Sequence, residues 1–344
     1  MKKLSIVLLS AIALAACSKD VVKDSYESAI DFDLATNGTV LKTVAPTAST
    51  LKEFKVWSYT QATATADRKA VMENVVVSKN EKTGDWTYSP KKYWPNERVL
   101  DFYAIAGTDN VTVSAGSAVV DFAETTTTDQ FGEAFDCIDN PSIVYATAMD
   151  MTKETLAGRV AVNFRHAMSQ LQFKVKNVST VESEVSYAPV YFTIEGLDSK
   201  GTYTLPMAAS TTADFDEATS HGTWTTGVVE GKENVPHRVV VSRDKVAPTE
   251  IKLITPADDI HMVLPQKKEI KFVVSVNVYQ GEHFICNCIK KISTSVDWKE
   301  GYRYTYTLRA NESTDPTLQE YTIDFDVTVD EFKIAEEYKP TEKE

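Results

Sequence analysis

Between Ile270 and Val278 apolar residues fall at 270, 272, 274, 276 and 278, with Lys271, Ser275 and Asn277 between them. A period of two puts all five side chains on one face of a strand, and it does not fit a helix, whose stripe recurs every 3.6 residues. The same period recurs along the chain. Ile30, Phe32 and Leu34 alternate with Asp31 and Asp33, and Phe54 and Val56 with Lys55 and Trp57. Val160, Val162 and Phe164 follow, then Leu171, Phe173 and Val175, then Tyr302, Tyr304, Tyr306 and Leu308, and last Tyr321, Ile323, Phe325, Val327 and Val329. Val75–Val77 and Trp86–Tyr88 read as a hairpin across Asn80–Gly84, and Leu100, Phe102 and Ala104 as a further strand. Helical stripes are scarce; Arg165–Leu171 has room for a single turn. Many short strands separated by turn residues predict an all-β fold of β-sandwiches.

The stretches between strands divide the chain. Glu124–Asp139 is acidic and Thr-rich and reads as a loop, as does polar 208–222. Met149–Gly158 is polar, ends in glycine and reads as a domain linker. The N-terminus has Lys2-Lys3, an apolar run from Leu4 to Ala16, and then Cys17. That is the layout of a secretory signal, too short to span a bilayer, which takes about 20 apolar residues. Leu14-Ala15-Ala16-Cys17 resembles the bacterial lipobox, which implies cleavage before Cys17 and lipidation of Cys17. Ser18-Lys19-Asp20 resembles the export signal that carries some lipoproteins to the cell surface. The expected organisation is a signal peptide over 1–16, a lipidated tether over 17–27, an N-terminal sandwich over 28–156, a C-terminal sandwich over 157–335, and a charged tail over 336–344.

Removing the 16 residues before Cys17 from 344 leaves 328. Losing Lys2 and Lys3 moves the net charge from −13 to −15. Such a chain repels phosphate backbones, so nucleic acid is not an expected partner. The lipid on Cys17 is left as the membrane anchor, with more than one acyl chain needed for stable attachment. The expected location is the outer membrane, exposed at the cell surface.

No catalytic constellation stands out. The chain has no Gly-x-Ser-x-Gly elbow, phosphate-cradling glycine loop or His-Glu-x-x-His, and no Cys-x-x-Cys pair. No enzyme activity, cofactor or metal is expected. Cys286 and Cys288 are two apart in an alternating stretch and read as small apolar residues on one strand face; Cys137 is the remaining cysteine beside Cys17. His166 reads as a hydrogen-bonded structural residue or a base. Asp258-Asp259 reads as an acidic turn, and Glu182 and Glu184 as a solvated strand face. Trp86, Tyr88, Tyr93, Trp94 and Tyr103 pack a core and its hairpin, or else form a sugar-stacking platform on a glycan-binding surface lipoprotein.

Trp86-Thr87-Tyr88-Ser89-Pro90-Lys91-Lys92-Tyr93-Trp94-Pro95, followed by Leu100-Asp101-Phe102-Tyr103-Ala104, resembles the hallmark of the fimbrillin-like (Mfa-like) family. Other segments resemble that family in the same order: Phe54-Lys55-Val56-Trp57-Ser58-Tyr59 before the hallmark, then Ala161–Leu171, Met262-Val263-Leu264-Pro265-Gln266 and Trp298–Tyr306. The resemblance covers nearly the whole mature chain. It implies two tandem transthyretin-like sandwiches. It also implies a structural or adhesive subunit of a type V-like fimbria, as stalk, anchor, tip or accessory, with a host or bacterial surface ligand possible for such a subunit. Its partners would be other fimbrial subunits, joined by strand complementation after a protease removes the first strand with its lipid.

The residues suit that mechanism. Ile30, Phe32 and Leu34 mark the strand to be exchanged, and Tyr321, Ile323, Phe325, Val327 and Val329 mark either a donor strand or an ordinary strand of its own domain. Proteolysis in the family follows an arginine, yet the first arginine here is Arg68. Lys42 and Lys52 are then the candidate processing sites, unless the strand and its lipid stay.

Overall fold

The structure, a computed structural model, describes residues 29–34, 51–61, 67–95, 98–114, 117–128, 134–137, 142–154, 159–207, 221–233, 235–255, 261–312 and 321–331. Cys17, Lys42, Asp258-Asp259 and the expected signal, tether and tail lie outside them. The first half of the chain supplies β1 (Asp31–Leu34), β2 (Glu53–Thr60), β3 (Ala70–Lys79), β4 (Trp86–Thr87), β5 (Leu100–Ala106), β6 (Val111–Ser114), β7 (Ser117–Ala123), β8 (Thr125–Thr128), β9 (Ala134–Cys137) and β10 (Val144–Met151). The second half supplies β11 (Arg159–Val162), β12 (Arg165–His166), β13 (Ser169–Asn177), β14 (Val185–Glu195), β15 (Lys200–Thr204), β16 (Thr223–Gly227) and β17 (His237–Val239). It continues with β18 (Ile251–Leu253), β19 (His261–Val263), β20 (Lys267–Gln280), β21 (His283–Asp297), β22 (Tyr302–Glu312) and β23 (Tyr321–Glu331). The fold is all-β, as the alternation predicts.

These strands form five sheets. The first sandwich sets the six-stranded sheet β12-β10-β5-β2-β3-β4 against the parallel pair β1-β11. Its core holds Ile30, Phe32, Leu34, Phe54, Val56, Trp94, Phe102, Val160 and Val162. The second sandwich sets β21-β20-β14-β17-β9-β8 against β18-β13-β22-β23. There the five alternating residues of β20 all turn inward, packed with Phe173, Phe192, Tyr306 and Trp298. The last sheet, β16-β15-β7-β6, covers the outer face of the first six-stranded sheet.

β5 is therefore buried on both faces. Leu100, Phe102, Ala104 and Ala106 turn to the first core, while Tyr103 and Ile105 turn to the layer beyond. This double burial accounts for its nearly unbroken apolar run, Leu-Asp-Phe-Tyr-Ala-Ile-Ala, where a half-exposed strand would alternate. Asp101 breaks the run and is nonetheless 2% exposed. Its carboxylate is ion-paired with Arg68 and accepts from Gln61 Nε2 at 3.0 Å and the Asp150 backbone N–H at 3.1 Å. A buried charge without such partners would be costly. The same double burial places Trp57 and Tyr59 in a core, on the face of β2 opposite Phe54 and Val56.

Strand pairing crosses the boundary expected at 156/157. β1 pairs β11, β10 pairs β12, β7 pairs β15, and β9 pairs β17. Three local expectations are corrected. Part of the Glu124–Asp139 segment forms the hairpin β8-β9, which extends a sheet through β17, in keeping with the strand preference of threonine. Arg165–Leu171 lies in β12 and the start of β13 and holds no helical turn, because sheet pairing overrides a short stripe. Glu182 and Glu184 lie at a 3-10 turn, Val181–Ser183, with Glu184 in the left-handed region at φ 57°, and not on a strand face.

Truncating Phe102 to alanine should leave a void among Phe32, Trp94 and the rest of the first core, and cost about 3–5 kcal/mol. Urea unfolding of Phe102→Ala against the unsubstituted chain measures this; a loss under about 1 kcal/mol would contradict the packing described.

Candidate functional site

The first strand sits in a prepared seat. Ile30, Phe32 and Leu34 are 0%, 3% and 4% exposed. Phe32 meets the rings of Phe54, Tyr88 and Phe102 edge-on at 5.9, 5.8 and 6.1 Å. On one side the strand pairs in parallel with β11, with Phe32 opposite Val160 and Leu34 opposite Val162. On the other side it meets the hallmark segment rather than a full strand. Ile30 N–H donates to Lys92 O at 2.9 Å, and Ala29 bridges Tyr93. The Tyr88 hydroxyl donates to Ile30 O at 2.7 Å and accepts from Lys92 N–H at 3.2 Å. Burial pushes this phenol up to about 12, so it stays a donor at any physiological pH. Lys91 pairs with Asp31 at 2.7 Å, an exposed contact of about 0–1 kcal/mol.

The C-terminal strand is placed differently. β23 pairs antiparallel with β22 through eleven register positions, from Tyr302↔Glu331 to Glu312↔Tyr321. Tyr321, Ile323, Phe325, Val327 and Val329 thus lie on an edge strand seated in its own domain; their side chains are outside the described residues. In register, Arg309 is opposite Asp324 and Arg303 is opposite Asp330. Lys52, the one processing candidate described, has an exposed side chain paired with Glu81 at 3.8 Å. Its carbonyl accepts from Lys79 N–H at 2.8 Å, and its neighbour Leu51 is in the first core.

The five aromatic residues do not make a platform. Tyr88, Trp94 and Tyr103 are buried, Trp86 is half-buried, and Tyr93 alone of the five is exposed. Trp94 packs on Phe102 at 5.8 Å and Trp86 on Phe54 at 5.0 Å. The hydrophobic gain of burying such rings exceeds what an exposed stack would retain. Cys286 and Cys288 are free, half-buried on the core face of β21, with sulfurs 3.7 Å apart. Among the described residues no cluster of His, Cys, Asp and Glu is arranged to hold a metal ion, and no helix is long and apolar enough to cross a membrane.

Two buried polar nodes have no motif in the sequence. Glu300 Oε1 accepts from Tyr145 and Tyr203 hydroxyls at 3.1 and 3.0 Å and meets His221 Nδ1 at 2.7 Å. Gly222 approaches so closely that an added Cβ would lie 2.3 Å from the Tyr203 ring; its N–H donates to the Tyr203 hydroxyl at 3.0 Å. Farther along, His237 joins Glu124 at 2.9 Å and His261 at 2.7 Å, all three buried. Each node ties the first half of the chain to the second. His166 is buried with Nδ1 2.8 Å from Ser142 Oγ, the structural arrangement rather than an accessible base.

A model described as Fimbrillin-like matches residues 42–324. The chain belongs to the fimbrillin-like family. This is a family of structural proteins, in line with a non-enzyme. Solved structures align with the chain at low identity. A fimbrial protein from Bacteroides vulgatus aligns with TM-score 0.59 and 15% identity over 87% of this chain and 98% of its own. A putative cell adhesion protein from Bacteroides uniformis gives 0.49 and 14% over 89% and 99%. The fimbrial anchor protein Mfa2 from Porphyromonas gingivalis gives 0.37 and 10% over 90% and 99%. No curated protein matches. In this fimbrillin-like chain the family hallmark, Trp86–Pro95, is the wall that holds β1.

Burial, and secondarily the charge of Arg303, lower the His166 pKa to about 3. Burial likewise holds His261 well below its ordinary value. A folded pKa below the unfolded one means that protonation favours unfolding, so stability is full above about pH 6.5 and falls toward pH 3. Urea unfolding across that range should show the decline, and His166→Gln should flatten it: the variant is the less stable at pH 7, and the gap narrows as pH falls. A pH-independent gap would contradict this reading.

Proposed function

We propose that this chain is a structural or adhesive subunit of a type V-like fimbria, exported as an outer-membrane lipoprotein on Cys17 and joined to other subunits by exchange of β-strands. The observation that carries the reading is the seat of β1. Phe32 and Leu34 are buried on a strand only four residues long, with Ile30 buried just before it, and the segment is held by one parallel neighbour and by contacts of the Ile30 backbone to Tyr88 and Lys92. Burial of Ile30, Phe32 and Leu34 is worth about 1.5–3 kcal/mol each, so the strand is firmly seated while its connection is intact.

Removing it would open an apolar groove floored by Phe54, Phe102, Val160 and Val162, with unpaired backbone along β11. Such a groove takes an alternating strand from another subunit in register. β23 has that alternation in sequence, with apolar residues at five alternate positions and Asp324 and Asp326 between them. In a free subunit β23 closes its own sheet, and it would leave β22 to act as donor. Lys42 and Lys52 are the candidate cleavage points. The missing arginine before Arg68 favours an anchor or accessory subunit that keeps its lipid and its first strand.

Limited digestion of the purified mature protein with a trypsin-like protease, followed by electrophoresis in mild denaturant, tests the exchange. Cleavage between β1 and β2 should release the N-terminal strand and produce a ladder of resistant oligomers. Phe32→Asp should speed the release by weakening the seat. A chain cut there that stays monomeric would exclude the stalk role, and a native N-terminus at lipidated Cys17 would assign the anchor.

A further inference from the structure

Two of the edge strands of the second sandwich differ in charge. β21 ends one six-stranded sheet and, among the described residues, pairs only with β20; β23 ends the facing sheet and pairs only with β22. An edge strand offers unpaired N–H and C=O groups to any strand that reaches it. β21 is fifteen residues long and carries Phe284, Ile285 and Ile289 at 56%, 39% and 57% exposure, a concentration of exposed apolar surface on one strand. Near its middle stand Lys290 and Lys291, both exposed and without an ion pair among the described residues. β23 carries Asp324, Asp326, Asp330 and Glu331 and no basic residue.

Charge decides which edges can meet. Two β21 strands side by side would gather four lysines, and two β23 strands would gather their carboxylates. Opposite charges facing across strands favour pairing, and like charges oppose it. Lys290 has the parity of the core-facing residues Cys286 and Cys288, a placement that blunts pairing with an apolar edge. We propose that β21 of one copy receives β23 of a second copy edge to edge, while β23 stays paired with its own β22. The sheets of two copies then run on into each other and no strand leaves its domain. The contact is therefore independent of strand exchange and of any cleavage.

Sedimentation velocity of the full, uncleaved chain carrying Cys17→Ser, so that no lipid drives association, tests this. Self-association should grow with protein concentration and weaken as salt screens the edges. Lys290→Glu combined with Lys291→Glu should weaken it roughly tenfold or more, with the thermal midpoint unchanged because both side chains are exposed. Asp326→Lys, at a position opposite uncharged Thr307, should weaken it from the other edge. A mixture of the two variants should associate more tightly than either alone, since each supplies the edge the other lacks. A chain that stays monomeric at every concentration and salt, or an association indifferent to both reversals, overturns the proposal. Resistant ladders after digestion report strand exchange and leave this contact untouched, so the two readings fail separately.

Discussion

The arrangement of the molecule depends on the burial of β5 from both sides. Its alternate residues belong to different cores, with Phe102 in one and Tyr103 in the other. β2 and β10 repeat the division, with Phe54 against Trp57 and Ala146 against Tyr145. A sheet apolar on both faces must lie between two layers. The thin pair β1-β11 covers one face, and a sheet drawn from both halves of the chain covers the other. Asp101 can sit in the middle strand because Arg68, Gln61 and the Asp150 backbone meet its charge.

Buried ionisable groups then set how the halves fit. Glu300 comes from the second half and is reached by Tyr145 from the first; Glu124 comes from the first and is reached by His237 from the second. Losing one partner would leave a buried charge uncompensated, which is why such contacts admit few alternative arrangements. The same burial holds His166 and His261 neutral, so acid acts on the join between the halves as well as on the individual strands.

Edges are handled in two ways. In the first sandwich the weak layer is completed by β1, gripped by the hallmark segment through Tyr88 and Lys92. In the second, the long strands β21 and β23 each end one sheet, the other ends being the short β8 and β18, and the two long edges differ in charge. Arg303 and Arg309 stand opposite Asp330 and Asp324 where β23 is seated, and Lys290 and Lys291 stand where nothing is seated among the described residues. A strand with little pairing and much apolar burial suits exchange, whereas charged edges suit selective contact between whole sheets.

The all-β class and most strands were legible along the chain, because a period of two is a local signal that needs no partner. The inward set of β20 and the burial of Ile30, Phe32 and Leu34 followed directly. So did the family, because its hallmark residues are the ones that pack around β1. Which strands are covered twice was not legible: Trp57 and Tyr103 read as outer or platform residues until a second layer is placed over them. The hairpin β8-β9 and the strand at Arg165–His166 were missed because their conformation is dictated by sheet neighbours far along the chain. Glu124, Glu300, His221, His237 and His261 carried no signal, since each is an ordinary polar residue until folding brings it to its partner. By itself the sequence determined which residues must leave water and with what periodicity, because that is a property of neighbouring side chains. Only the tertiary structure decided which faces meet, which charges are buried together and which edges stay open, because those depend on contacts between residues far apart in the chain.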